Sequence, residues 1–218
     1  HLDLQKILGW EDAEFKLTIT QRSGNNISND RINDPRVGGF TSAQEVWGRG
    51  QTTRLTQMWY QQKFFDQKLD IKVGRFGQGE DFNTFPCDFQ NLAFCGSQVG
   101  NWAGSIWYNW PVSQWALRVK YHLTPELYAQ VGAYEQNPSN LDRGNGFKLS
   151  GSGTQGAVLP IELVWSPKIN GLPGEYRAGY YYSNAKATDV YKDSNGQPAA
   201  LSGEAYRSSS SKHGMWLG

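Results

Sequence analysis

The chain has no run of about 18 apolar residues, so none of its helices can span a bilayer. It has no excess of one charge: 21 Lys and Arg face 20 Asp and Glu, for a formal net charge of +1. That balance, with the signs interspersed, gives no footing for nucleic acid or an anionic membrane surface. Histidine is scarce, and His1, His122 and His213 lie far apart with no carboxylate or thiol at ligand spacing, so neither a metal site nor a cofactor is indicated. Serine-nucleophile signatures of the G-x-S-x-G kind are missing. No basic, apolar leader opens the chain, so the sequence reads as a mature chain or one whose beginning is absent.

Cysteine is almost absent. Cys87 and Cys95 are eight positions apart in a loop-like run. A disulfide between them closes a small loop and implies an oxidising compartment; two free thiols is the alternative.

Aromatic residues, by contrast, are plentiful at 14%, with nine Trp and eleven Tyr. They recur in a strict two-residue rhythm. In residues 114 to 123, Trp115, Leu117, Val119, Tyr121 and Leu123 share one parity and Arg118, Lys120 and His122 the other. Successive strand side chains point to opposite faces, so such a segment has one apolar and one cationic side. The same rhythm runs through 13 to 20, 68 to 73, 126 to 134, 159 to 165 and 174 to 182, with less regular candidates at 53 to 64, 101 to 110 and 211 to 218. This predicts about nine strands, with a single helical turn near residues 3 to 8. A soluble sandwich would bury the apolar side. A membrane barrel would turn it to lipid and the charged side to a watery lumen, and the mean hydropathy of -0.62 is compatible with that because half of each strand is polar.

The expected connections come in two lengths: short at 65 to 68, 111 to 114, 124 to 126 and 168 to 174, long at 23 to 51, 77 to 100, 136 to 155 and 184 to 210. Four long loops in one domain point to function. The short ones at 111 and 124 follow each other, which breaks the alternation a barrel requires. The apparent strand at the end has no successor, and an open edge in lipid leaves backbone groups unpaired, so further strands are expected outside these 218 residues. The whole of 1 to 218 is read as one domain.

Gly151-Ser-Gly-Thr-Gln-Gly matches a dinucleotide fingerprint but precedes a strand, where no helix N-terminus is available to meet a phosphate. The sequon at Asn26 carries no weight. Glu80 and Asp81 are adjacent and read as a solvated loop pair rather than an acid/base couple. The informative charges are those within the strand patterns, namely Glu14, Lys16, Arg54, Lys72, Arg118, Lys120, Glu162, Glu175 and Arg177. Opposite signs on one face form cross-strand pairs, and the remainder would line a pore.

The run from Gln44 to Gln62, with Trp47-Gly-Arg-Gly-Gln-Thr-Thr-Arg at its centre, and the run Leu69-Asp-Ile-Lys-Val-Gly-Arg-Phe-Gly-Gln-Gly-Glu-Asp-Phe resemble the OprB family of carbohydrate-selective porins. The resemblance continues through Cys87-Asp-Phe-Gln-Asn-Leu and Leu159-Pro-Ile-Glu-Leu-Val-Trp-Ser-Pro to Leu172-Pro-Gly-Glu-Tyr-Arg-Ala-Gly. It implies an all-β, antiparallel transmembrane barrel of about sixteen strands in a Gram-negative outer membrane, of which this chain is the N-terminal portion. It further implies passive diffusion of glucose and related sugars, with no reaction. The constriction is expected at Glu45, Arg54, Arg75 and Asp81, with Glu80, Arg22 and Arg49 competing, and lumen-facing positions at Arg118, Lys120, Glu162 and Arg177. The implied partners are a carbohydrate, outer-membrane lipid and, as one possible assembly, two further copies in a homotrimer, with no nucleic acid. The competing readings are a secreted β-sandwich lectin or carbohydrate-active enzyme, and a nonspecific porin.

Extraction separates these classes. The full-length protein is expected to require detergent and to change gel mobility on heating, whereas recovery in plain buffer would favour the lectin or enzyme.

Overall fold

The computed structural model describes residues 1–25, 28–34, 36, 51–84, 97–103 and 105–218. Its elements in chain order are β1 (Leu2–Asp3), α1 (Leu4–Leu8), β2 (Ala13–Gln21), β3 (Thr53–Phe64), β4 (Leu69–Phe76), α2 (Val99–Trp102), β5 (Gln114–Thr124), β6 (Leu127–Gln136), β7 (Gly156–Trp165), β8 (Lys168–Ile169), β9 (Leu172–Pro173), β10 (Tyr176–Ser183), β11 (Ala187–Asp193), α3 (Ala199–Ser202), β12 (Tyr206–Ser209) and β13 (Lys212–Leu217). One nine-stranded antiparallel sheet runs in the order β1-β2-β3-β4-β5-β6-β7-β10-β13. Chain neighbours pair except where two small hairpins, β8 with β9 and β11 with β12, interrupt the meander. β1 and β13 form the two edges, so the sheet is not closed among the described residues.

The two-residue rhythm is realised as expected. Ile71, Val119, Val131, Ile161, Tyr180 and Met215 are successive cross-strand partners on one face. Of these, Val131, Ile161 and Tyr180 are 47%, 51% and 40% exposed, and in β7 the outward Leu159, Ile161, Leu163 and Trp165 alternate with the buried Val158, Pro160, Glu162 and Val164. An uninterrupted apolar row of this kind is unstable against water and suited to hydrocarbon.

Three expectations are corrected. The described residues of 101 to 110 form no strand. That segment completes α2 and then packs Ile106, Trp107 and Tyr108, all fully buried, against the opposite face of the sheet. Trp107 and Tyr108 are close-packed filling rather than members of a two-sided ribbon. Pro111 to Ser113 therefore end one long connection, residues 77 to 113, rather than making a short turn. Long (22 to 52, 77 to 113, 137 to 155, 184 to 211) and short (65 to 68, 125 to 126, 166 to 175) connections then alternate without exception among the strands from β2 to β13, as in outer-membrane barrels. The third correction concerns the charged face, expected to look onto water. Much of it is dry, because the described parts of the connection after β4, residues 77–84, 97–103 and 105–113, pack over it.

An aromatic cluster makes that cover. Phe82 meets Tyr134 edge-on at 6.0 Å, and Trp107 meets Trp216 at 5.6 Å and Tyr181 at 5.9 Å. Phe76, Val99, Val158 and Trp59 complete it. Two glycines admit the rings: a Cβ at Gly132 would lie 2.9 Å from Phe82, and one at Gly179 would lie 2.1 Å from the Trp216 indole. Polar ties fix the connection's path, with Gln78 Nε2 donating to the Ile106 carbonyl (3.1 Å) and Gln136 Nε2 to that of Ser105 (2.8 Å).

The turn joining β3 to β4 is tight, with Phe65, Asp66 and Gln67 all left-handed (φ 55°, 53° and 65°). A β-bulge interrupts the pairing of β2 with β3: Thr18 faces Gln57 and Ile19 faces Leu55, leaving Thr56 over.

Ile161 lies midway along β7 on the exposed apolar row. Ile161→Arg in the full-length protein is expected to lower folding stability in lipid vesicles by about 2–4 kcal/mol, measured by urea titration, because a cation at mid-membrane depth on the lipid side is costly.

Candidate functional site

The inward face carries a polar belt beneath the aromatic cover. Strand register sets its wall. Lys72 and Arg118 are direct partners across β4 and β5, Asp70 pairs with Lys120, and Gln130 pairs with Glu162 across β6 and β7. All six lie on the inward parity, which only alternation can arrange.

The other half of the belt comes from the connection after β4. A 3-10 turn, Gln78–Glu80, follows Gly77, and the Glu80 carboxylate accepts from the Gly77 amide at its start (3.2 Å). The turn delivers Glu80 and Asp81 onto the strand cations. Lys72 Nζ is 2.9 Å from Asp81 Oδ2 and 3.4 Å from Glu80 Oε2, and its ammonium lies over the rings of Phe76 (4.2 Å) and Trp59 (4.9 Å). Arg118 Nη1 is 3.0 Å from Asp70 Oδ2, and its Nε is 3.5 Å from Asp81 Oδ1. Gln57 donates to Glu80 (2.7 Å) and Gln61 to Asp70 (3.1 Å). The cations are 2–5% exposed, so these pairs are interior contacts with little screening.

A second hub is Glu162, whose side chain is fully buried. Its Oε1 accepts from the Asn83 amide (2.9 Å) and Trp216 Nε1 (2.8 Å), and its Oε2 accepts from Gln130 Nε2 (2.8 Å). Arg177 Nη1 stands 3.6 Å from the same carboxylate and donates to Thr84 Oγ1 (2.8 Å), while its Nη2 pairs with Glu175. Gln130 Nε2 also donates to the Asp81 carbonyl (2.7 Å). β6, β7, β10 and β13 thus jointly grip residues 81 to 84.

The expected site residues scatter around this frame. Asp81 and Glu80 are brought together with Lys72 and Arg118, and they are not a solvated loop pair. Glu162 and Arg177 meet at the second hub. Lys120 is inward and half-buried, with its ammonium 4.5 Å above the Tyr128 ring. Arg54 is inward at the long-loop end, where its guanidinium donates to the carbonyls of Asn140 (3.0 Å), Leu141 (3.0 Å) and Asp142 (3.3 Å), anchoring the 137 to 155 connection. Arg75 lies on the other parity. It follows Leu69, Ile71 and Val73, faces Trp115 and Met58 across the sheet, and donates to the Ser113 carbonyl (2.8 Å), which takes it off the lumen wall. Arg22 sits just beyond β2, where its amide donates to the Thr52 carbonyl (3.2 Å). Glu45, Arg49, Cys87 and Cys95 lie outside the described residues. Asp70, Gln57, Gln130, Asn83 and Trp216 were not anticipated. The parity of Asp70 and Gln130 marked their side of the sheet, whereas nothing local links Glu162 to Trp216.

A family model described as carbohydrate-selective porin, OprB family, matches residues 1–218. The chain belongs to that family. Its all-β sheet is accordingly part of a barrel of the Gram-negative outer membrane. Porin B of Pseudomonas aeruginosa is 70% identical over 219 residues, covering 100% of this chain and 48% of Porin B. A relative from Acinetobacter baylyi is 44% identical over 223 residues, of which the chain again spans 48%. The high-pH structure of Pseudomonas putida OprB superposes with a TM-score of 0.90 at 77% identity, over 99% of this chain and 51% of that one. The chain thus spans about half the length of the curated relatives it matches.

Arg118→Leu in the full-length protein is expected to destabilise it by about 3–5 kcal/mol, since two carboxylates lose a buried partner. Adding Asp70→Asn is expected to recover part of that loss, and a double-mutant cycle in detergent measures it. Strict additivity of the two substitutions would mean that the pair is not coupled.

Proposed function

We propose that the whole protein, of which this chain forms about half, is a channel for passive diffusion of carbohydrates, glucose and related hexoses, across the outer membrane. One observation carries the reading: the start of the connection after β4 turns onto the inward face and seats Glu80 and Asp81 on Lys72 and Arg118. The Glu80 and Asp81 carboxylates, whose side chains keep 16% and 11% of their surface exposed while the cations behind them are buried, exchange hydrogen bonds with a polyhydroxylated solute in place of water, and binding that stays weak permits exit. Because the groups are held by their neighbours, they are oriented before a sugar arrives. No bond is made or broken in this process. The chain is a wall segment of that channel; the share of the constriction supplied by the other half of the barrel is part of the proposal. Trimeric assembly and boundary lipid enter on the same footing, supported by family membership and the apolar outer row. That exposed row disfavours a sandwich lectin or enzyme, whose core would need it buried.

Liposome swelling with glucose against sucrose and amino acids tests selectivity in the full-length protein. Asp81→Asn is expected to slow glucose entry by about two- to tenfold, the weight of one hydrogen bond, with a smaller effect on amino acids. An equal change for every solute points to a nonspecific pore.

A further inference from the structure

On the short-connection side of the polar belt the inward wall changes character. Lys63, Asp70 and Lys120 are consecutive partners across β3, β4 and β5, so the two ammonium groups flank Asp70 on strands about 10 Å apart. Asp70 is already engaged by Arg118 and Gln61, Glu80 and Asp81 by Lys72, and Glu162 by Gln130, Asn83 and Trp216. Among the described residues neither Lys63 nor Lys120 forms an ion pair.

The next residues along complete a concavity. His122 and Tyr128 are cross-strand partners with ring centroids 5.5 Å apart, and Lys120 lies over the same Tyr128 ring. The other wall rings, Phe76, Tyr134, Tyr181 and Trp216, are sealed under the 77 to 113 connection, while Tyr128 stays half-exposed. His122 also borders an open groove of about 540 Å³ between the two short turns, lined otherwise by Asp66, Gln67, Lys68, Leu123, Thr124 and Pro125. The His122 amide donates to the Lys68 carbonyl (2.8 Å), tying those turns together.

We propose that Lys63, Lys120, His122 and Tyr128 form an exit-side subsite for acidic monosaccharides, hexuronates being the simplest class. This rests on the carbohydrate-channel reading and extends it to the anionic substrate. The two ammonium groups supply charge-assisted hydrogen bonds to the carboxylate. The half-exposed phenol ring offers a flat apolar surface to the pyranose, and Gln67 and Thr124 in the adjoining groove meet its hydroxyls. The acid-bearing belt above repels a carboxylate, so the ligand sits with that group toward the short connections.

The test uses the full-length porin in planar bilayers, with sodium glucuronate added to block ion current, and in liposomes with glucose. Glucuronate is expected to block at lower concentration than glucose. Lys120→Gln is expected to raise the half-blocking concentration of glucuronate about tenfold while glucose swelling stays within about twofold, with Lys120→Arg restoring block. Lys63→Gln is expected to act in the same direction, which keeps the test open if one variant assembles poorly. Glucose entry combined with glucuronate block no stronger than that of glucose, or indifferent to both lysines, overturns the subsite and leaves the channel reading standing. Failure of glucose to enter at all overturns the channel reading itself.

Discussion

Everything in this molecule depends on the fact that a strand shows alternate residues to opposite sides. That constraint lets one ten-residue segment satisfy two solvents. In β7, Ile161 and Leu163 face outward while Glu162 and Val164 are buried between them. Because partners sit opposite one another, the inward side chains fall into rows, and the rows place Lys72 beside Arg118 and Gln130 beside Glu162 without any loop to position them.

The strand rows alone are electrostatically incomplete. Lys72 and Arg118 side by side repel each other, and among the described strand residues Asp70 alone pairs with either, through Arg118. The connection after β4 resolves this by carrying Glu80 and Asp81 inward, and the aromatic cover keeps it there by excluding water. The two effects reinforce one another: dry surroundings strengthen the ion pairs, and unpaired charges in the same surroundings would be costly. The fold of the connection and the chemistry of the belt are therefore one structure.

How much of this was legible in the sequence follows from distance along the chain. Alternation is local, so β2, β4, β5, β6, β7 and β10 were readable, and with them the parity that sets Arg118, Lys120, Glu162 and Arg177 opposite the apolar row. The helical turn expected near residues 3 to 8 forms at Leu4–Leu8, where Asp3 accepts from the amides of Gln5 and Lys6. Residues 101 to 110 misled because an aromatic-rich segment packed on a sheet has a composition close to that of a strand in it. Arg75 misled because its family motif suggested a lumen charge while its parity, continuing from Val73, pointed outward. The Glu162 hub joins residues 79 and 54 positions apart in the chain, and such contacts exist only after the sheet has assembled.

The supernumerary Thr56 has an effect out of proportion to its size. Downstream of it in space, β3 is phase-shifted: Leu55 takes the side of Ile19, and Arg54 takes the side of Thr20. In an unbroken ladder the guanidinium of Arg54 would emerge among acyl chains and Leu55 would occupy the conduit. A one-residue insertion thus acts as a parity inverter, allowing a single ribbon to keep its apolar side to the membrane and still bring a guanidinium to the inward side at its end, where it holds the 137 to 155 connection.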